Sequence, residues 1–208
     1  MISSFLQLFV DWNLILIIIG GFSVVGLAIF IERLIHLRRA EANTNQFLIE
    51  VRRAIREGNT VDAVQTCEST GGSVANIVRA GLLKYHRTQS DIEGAMEVQG
   101  IVEVANLERN AKILSIIAHI APLVGLLGTV LGFIQAFSEM RQTGLMDIST
   151  SGIGSAMEYA LVTTAAGLVV AIPAVVAYNY LVSRIGNLVL EMQTTSSEVV
   201  DLLTEHAV

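Results

Sequence analysis

Three long apolar runs dominate the pattern along the chain. Residues 14–31 form 18 positions without a charge, 113–137 form 25 with His119 as the one ionisable group, and 159–182 form 24 without a charge. A helix needs about 20 apolar residues to cross roughly 30 Å of hydrocarbon. Backbone groups in lipid must be satisfied within the segment, so these runs predict helices. Helices of a soluble bundle would carry polar faces, and these carry none. The expected fold class is an all-α membrane protein with three transmembrane helices, the second and third extending into a cytoplasmic helical domain.

Between the first two runs the pattern changes to helical periodicity with polar faces. Phe47, Leu48, Val51 and Ile55 share a face, and Gly58–Asn59 then stops that helix. A shorter helix with Val61, Val64 and Cys67 inward ends at Gly71–Gly72, and Ser73 is placed to cap the next. That next helix would set Ile77, Val78, Leu82 and Tyr85 on one face. Ser90-Asp91-Ile92-Glu93 reads as a capping box. No breaker follows, so residues 91–137 predict one rod of 47 residues, about 70 Å long. After the third run, Ile185, Leu188, Met192, Thr195, Val199 and Leu202 step by threes and fours. This seam can pack on the chain's own rod or join subunits.

Composition supports the membrane reading. The 208 residues are 52% hydrophobic and 15% charged, with mean hydropathy +0.60. A soluble domain carries about 25% charged residues. Disorder is excluded on the same grounds. Thirteen Lys and Arg against 19 Asp and Glu give −6, the wrong sign for a nucleic-acid ligand. Cys67 is the one cysteine, so it forms no internal disulfide and is expected as a small core residue. His36 and His86 are expected to be solvated.

Charge distribution sets the expected topology. Eleven of the 13 Lys and Arg lie within residues 32–112, and Arg184 follows the third run. The positive-inside rule then puts the N-terminus outside and the C-terminus in the cytoplasm. No Lys or Arg precedes Arg33, so the first run does not read as a cleaved signal. Arg109 and Lys112 read as anchors where the rod enters the bilayer. The expected division is an outer N-terminus at 1–12, spans at 13–31, 113–137 and 153–182, a cytoplasmic domain at 32–112, an outer loop at 138–152 and a cytoplasmic amphipathic tail at 183–208.

Two of the spans carry stripes of small residues. One is Ser115, Ala118, Ala121, Gly125, Gly128, Gly132 and Ala136; the other is Ala156, Ala160, Thr163, Gly167, Ala171 and Ala174. Small residues let membrane helices approach closely, and Gly128–Gly132 makes a GxxxG spacing. If one stripe joins the two spans, the other is left for a neighbour, which predicts an oligomer. Polar groups in the spans are the second clue. Thr129, Thr163 and Thr164 either bond to their own backbone or line a path. Glu158 is an interfacial acid or a functional carboxylate. His119 is bonded to a neighbouring helix or titrates on a proton path. No nucleotide, zinc-protease or hydrolase motif occurs, so neither enzyme chemistry nor a cofactor or metal is expected.

Two segments together resemble a known family. Ala121-Pro122-Leu-Val-Gly125-Leu-Leu-Gly128-Thr129-Val-Leu-Gly132 is similar to the second-span signature of the MotA/TolQ/ExbB proton-channel family. Ala160-Leu-Val-Thr163-Thr164-Ala-Ala-Gly167, continuing through Ala171-Ile-Pro173 to Tyr178-Asn179, resembles its third-span signature. The likeness is greatest to an ExbB-type biopolymer transport subunit. It implies a subunit of a proton-motive-force-driven motor in the bacterial inner membrane, with the outer segments periplasmic, energising TonB-dependent outer-membrane transport. TolQ-like and gliding-motility motors, or a non-conducting scaffold, are the alternatives. The resemblance further implies a homopentamer around a small single-span ExbD/TolR-like protein with a membrane aspartate, and a TonB-like protein as a further partner. It places Thr129 and Thr164 on the pore; Thr163, Glu158 and His119 remain further pathway candidates as polar groups of the spans. Pro122, Gly125, Gly128, Gly132, Gly167 and Pro173 become packing and oligomer positions. One slot departs from the pattern: the ExbB and TolQ branches place a glutamate where this chain has Tyr159, and Glu158 stands one residue earlier. That offset turns a helical side chain by about 100°.

Overall fold

The computed structural model describes residues 14–40, 44–143 and 150–205; the expected outer N-terminus at 1–12 and part of the expected outer loop lie outside them. Seven helices follow in order: α1 (Leu14–Ala40), α2 (Thr44–Arg56), α3 (Thr60–Thr70), α4 (Ser73–Leu82), α5 (Gln89–Glu108), α6 (Ala111–Thr143) and α7 (Thr150–Glu205). No strand occurs among the described residues. Three helical stretches are long and apolar enough to cross a membrane: Leu14–Arg38, Gln89–Arg141 and Ile153–Thr204.

The chain divides into two compact units. The described part of the membrane unit is 14–31, 111–143 and 150–179, and that of the extramembrane unit is 32–40, 44–110 and 180–205. The helix α7 contributes to both.

The membrane unit inverts the usual order of a soluble core. Its buried positions are small, among them Ala118, Ala121, Ala136, Ala156, Ala160, Ala171 and Ala174. Its large side chains face outward, with Val169 at 70% and Leu161 at 68% exposure. Lipid tails are as apolar as leucine, so nothing drives large side chains inward, while small ones let backbones meet. The helix α1 packs on α6 where Gly26 lies against Leu114 and Ile117. Pro122 and Pro173 sit inside α6 and α7 and can donate no bond to the carbonyls four residues back.

The extramembrane unit has a conventional apolar core. Phe47, Val51, Ile55, Cys67, Ile77, Val78, Leu82, Ile92, Met96 and Leu107 are buried. Leu181, Ile185, Leu188, Met192, Thr195, Val199 and Leu203 from α7 are buried too. The α7 seam is therefore covered within this chain, and its last knob is Leu203 rather than Leu202. Turns between helices fall at Gly58, Gly71 and Gly72, whose φ values of 72°, 66° and 88° suit glycine. Buried Glu103 accepts from Asn76 Nδ2 and Gln99 Nε2, both at 2.9 Å, which ties α4 to α5. Arg52 pairs with Glu198 across the unit.

Several local expectations are corrected. The inward side of α3 is Ala63 and Cys67; Val61 is exposed and Val64 half-buried, because the helix starts at Thr60 behind an Asn59 cap that accepts from the Asp62 amide. Ser73 is the first residue of α4 and is buried; Gly72 holds the cap position without a side-chain bond. Tyr85 lies in the turn after α4 and is half-buried. The capping box is Thr88 with Asp91, two residues before the expected one. Its hydrogen bonds from the Thr88 hydroxyl and amide hold the Asp91 carboxyl below the usual carboxylate range. The predicted rod falls within one helical stretch, Gln89–Arg141, whose hydrogen-bond ladder is interrupted at Arg109–Asn110 while Arg109 keeps helical dihedrals. There Arg33 Nη1 donates to the Asn106 carbonyl at 3.3 Å, the acceptor an unbroken helix would reserve for the Asn110 amide. Asn110 Nδ2 donates instead to Glu32 Oε2 at 3.1 Å.

Burial pushes the Cys67 thiol up to about 12. At pH 8 only about one thiol in 10,000 would then be thiolate, the species that reacts. The native chain is expected to resist iodoacetamide at pH 8 for hours and to label fully in denaturant. Mass spectrometry of the alkylated protein checks this; rapid native labelling would show that α3 is not packed as described.

Candidate ion-pathway site

Of the polar residues of the spans, Thr163 and Thr164 lie where α6 meets α7. The two stripes of small residues face one another rather than two different partners. A Cβ on Gly125 would lie 2.8 Å from the Thr163 carbonyl oxygen, and one on Gly167 would lie 2.7 Å from that of Ala121. A Cβ on Gly132 would stand 2.7 Å from the Ala160 Cβ, and one on Gly128 would stand 2.6 Å from the Thr163 Cβ. An interface needs two faces, and these two stripes supply both. The inference that one stripe is left over for a neighbour is therefore overturned. Outside the interface, Pro122 is half-buried and Pro173 exposed, so Pro173 takes no part in packing within this chain.

The three threonines differ in their surroundings. Thr163 is fully buried against Gly128 and donates to the Ala160 carbonyl at 2.9 Å. Thr129 is half-buried and donates to the Leu126 carbonyl at 2.6 Å. Thr164 is half-buried and crosses the interface, donating to the Gly125 carbonyl at 3.1 Å. That carbonyl is also the helical acceptor for the Thr129 amide. The structure thus joins Thr164 to α6 one turn before Thr129.

It does not bring His119 or Glu158 to them. His119 is ten residues from Thr129 on α6, about 15 Å along the axis, and Glu158 is six from Thr164 on α7, about 9 Å. Both side chains are exposed. The His119 Nδ1 lies 2.7 Å from the Ser115 carbonyl on its own helix. A carbonyl can only accept, so Nδ1 is the donor in this contact. These gaps far exceed a hydrogen bond, so the pathway candidates make no continuous chain of donors and acceptors by themselves.

Two further polar residues lie in the same unit. The Gln135 Oε1 and the Tyr159 hydroxyl are buried without a hydrogen-bond partner, while Gln135 Nε2 donates to Glu139 at 3.2 Å. Gln135 was legible as a lone amide inside an apolar run, but its burial depends on α7. Among the described residues no group of three or more His, Cys, Asp and Glu could hold a metal ion.

Known proteins resemble the chain over most of its length. The sequence profile of the MotA/TolQ/ExbB proton channel family matches residues 70–194. The chain is 29% identical over 184 residues to a biopolymer transport protein ExbB homologue of Methanothermobacter thermautotrophicus, covering 88% of this chain and 64% of that protein. It is 47% identical over 79 residues to the biopolymer transport protein ExbB of Helicobacter pylori, covering 38% of this chain and 53% of that one. It is 29% identical over 202 residues to the Tol-Pal system protein TolQ of Haemophilus influenzae, covering 88% and 85%. The chain thus spans less than two thirds of the first two of these relatives.

Proposed function

Because this chain belongs to the MotA/TolQ/ExbB proton channel family, we propose that it is the multi-span subunit of a proton-driven motor that energises the cell envelope, in the manner of ExbB. The observation that supports the reading is the hydrogen bond by which Thr164 crosses to the Gly125 carbonyl, one turn before Thr129, in a packed two-helix unit. Such hydroxyls can serve a proton or water on a path while costing little to bury. The path lacks a carboxylate at this level, since Glu158 lies about 9 Å away along α7. The missing group then belongs to another chain, which fits a small single-span partner of ExbD/TolR type carrying a membrane aspartate. Large exposed aliphatics on α1, α6 and α7 leave surface for lipid and for further copies, in keeping with a homopentamer.

The proposed setting is the bacterial inner membrane. The 11 Lys and Arg of residues 32–112 support a cytoplasmic position for the extramembrane unit, with the N-terminus and the 138–152 loop in the periplasm. A TonB-like protein would then receive the work done by the complex. A TolQ-like role is the second reading, favoured by a TolQ relative that aligns over most of both chains.

The test is the native mass of the complex, gently extracted from its source membrane through an affinity tag on this chain. Five copies with two of a small single-span protein are expected, and the identity of that protein would separate the ExbB-like from the TolQ-like role. A monomer would contradict the reading, and a homo-oligomer alone would leave a scaffold.

A further inference from the structure

We propose that Gln135 and Tyr159 are a positioning pair for the motor: their side chains hydrogen-bond to one another in a second packing of α6 on α7, and in the packing described above that bond is open. The activity it serves rests on the proton-driven reading; the second packing itself does not. The Gln135 Oε1 and the Tyr159 hydroxyl are both buried and without a hydrogen-bond partner. Buried from solvent, neither is served by water, and hydrocarbon offers no partner. Leaving such groups unmade costs more than a typical made bond returns. The two atoms are complementary, since an amide oxygen only accepts and a phenol hydroxyl donates. A single bond between them satisfies both.

Their placement allows it. The helices α6 and α7 run antiparallel, for Gly125 lies against Thr163 and Gly167 while Gly132 lies against Ala156 and Ala160. At about 100° per residue, Gln135 and Thr129 stand about 60° to either side of Gly132. Tyr159 stands about 40° to one side of Thr163, and Thr164 about 100° to the other. In an antiparallel pair these senses match. Thr129 and Thr164 therefore share one flank of the interface, and Gln135 and Tyr159 share the opposite flank. Tyr159 is level with Gly132, and Gln135 lies one turn further along α6. Helical side chains lean toward the N-terminus of their own helix, so these two lean toward each other. Gln135 Nε2 is held by Glu139 at 3.2 Å, which leaves Oε1 as the end that can bond.

Two flanks with one bond each form a rocker. On the first flank Thr164 donates to the Gly125 carbonyl at 3.1 Å. Between the flanks the contact is made by Gly125, Gly128, Gly132, Ala160 and Gly167, with no long side chain to interlock the helices. A small roll of α7 over this ridge closes the second flank as it opens the first. The Thr164 hydroxyl, released from Gly125, then becomes available to the pathway it is proposed to line.

The test uses the full chain with its co-purified partner. A ring-fluorinated tyrosine placed at position 159 reports the surroundings of the phenol by fluorine NMR in nanodiscs. A second resonance is expected beside the main one, and Gln135→Leu should remove it. Tyr159→Phe should leave the unfolding midpoint unchanged or raise it, because no bond of the described packing is lost. It should nevertheless slow proton flux into liposomes at least about threefold, the worth of one such bond in a membrane. Gln135→Leu should act alike, and the double variant should be no slower than either single one, because both break the same bond. A fluorine spectrum indifferent to Gln135→Leu would overturn the second packing, whether or not the complex carries protons. A lowered midpoint for Tyr159→Phe would overturn it too, since the bond would then already be made. Wild-type flux through the Tyr159→Phe complex, or a double variant slowed by the product of the two single effects, would overturn the positioning role.

Discussion

Gly125→Val is expected to break the packing of α6 on α7. The added side chain would start 2.8 Å from the Thr163 carbonyl oxygen and 3.1 Å from the Thr164 Cα. Both are backbone atoms, so no rotamer change makes room. Overpacking of this kind costs about 1–3 kcal/mol or more. It also separates Thr164 from the Gly125 carbonyl. Gly128 offers a contrast, because its neighbour is the Thr163 side chain. Gly128→Ala should destabilise, and adding Thr163→Gly should recover much of the loss by exchanging bulk across the interface, with a coupling of about 0.5–3 kcal/mol. Unfolding of the purified chain in mixed micelles, read by circular dichroism, checks both. A Gly125→Val chain as stable as wild type would contradict the interface.

The second large effect is on activity rather than stability. Thr129→Ala combined with Thr164→Ala is expected to abolish proton-driven work to the level of a deletion strain. The fold should survive. Thr129 bonds only to its own helix, and the single crossing bond of Thr164 is worth about 0.6 kcal/mol in a membrane setting. Complementation of a deletion strain, with the amount of assembled complex measured alongside, separates the two effects. Wild-type activity in the double variant would remove these threonines from the pathway. Loss of the complex would assign them a packing role instead.

Much of this arrangement is written in local sequence. Each membrane span is at least 18 residues without charge, a signal that needs no tertiary information. The stripes of small residues were legible as faces because helical periodicity fixes them. Their pairing was not, since periodicity shows that a face is small but not what it meets. The interruption at Arg109–Asn110 carries neither glycine nor proline. It coincides with Arg33 and Glu32, some 75 residues earlier, bonding to Asn106 and Asn110. Such a tertiary bond leaves no trace in the periodicity of residues 91–137. The caps missed by two residues at Thr88, and by one at Gly72, reflect competing Ser, Thr and Asp candidates in short polar stretches. Among the pathway candidates, the bond from Thr164 to the Gly125 carbonyl depends on the close approach that Gly125 and Gly167 permit.

The central claim is that this chain carries protons only together with a partner carboxylate. Proton flux into liposomes tests it directly, using the chain reconstituted alone, with its co-purified single-span partner, and with that partner's membrane carboxylate neutralised. Flux is expected only in the second preparation, and Thr129→Ala/Thr164→Ala should silence it. Equal flux from the chain alone, or none from the intact complex under an imposed proton gradient, would contradict the account.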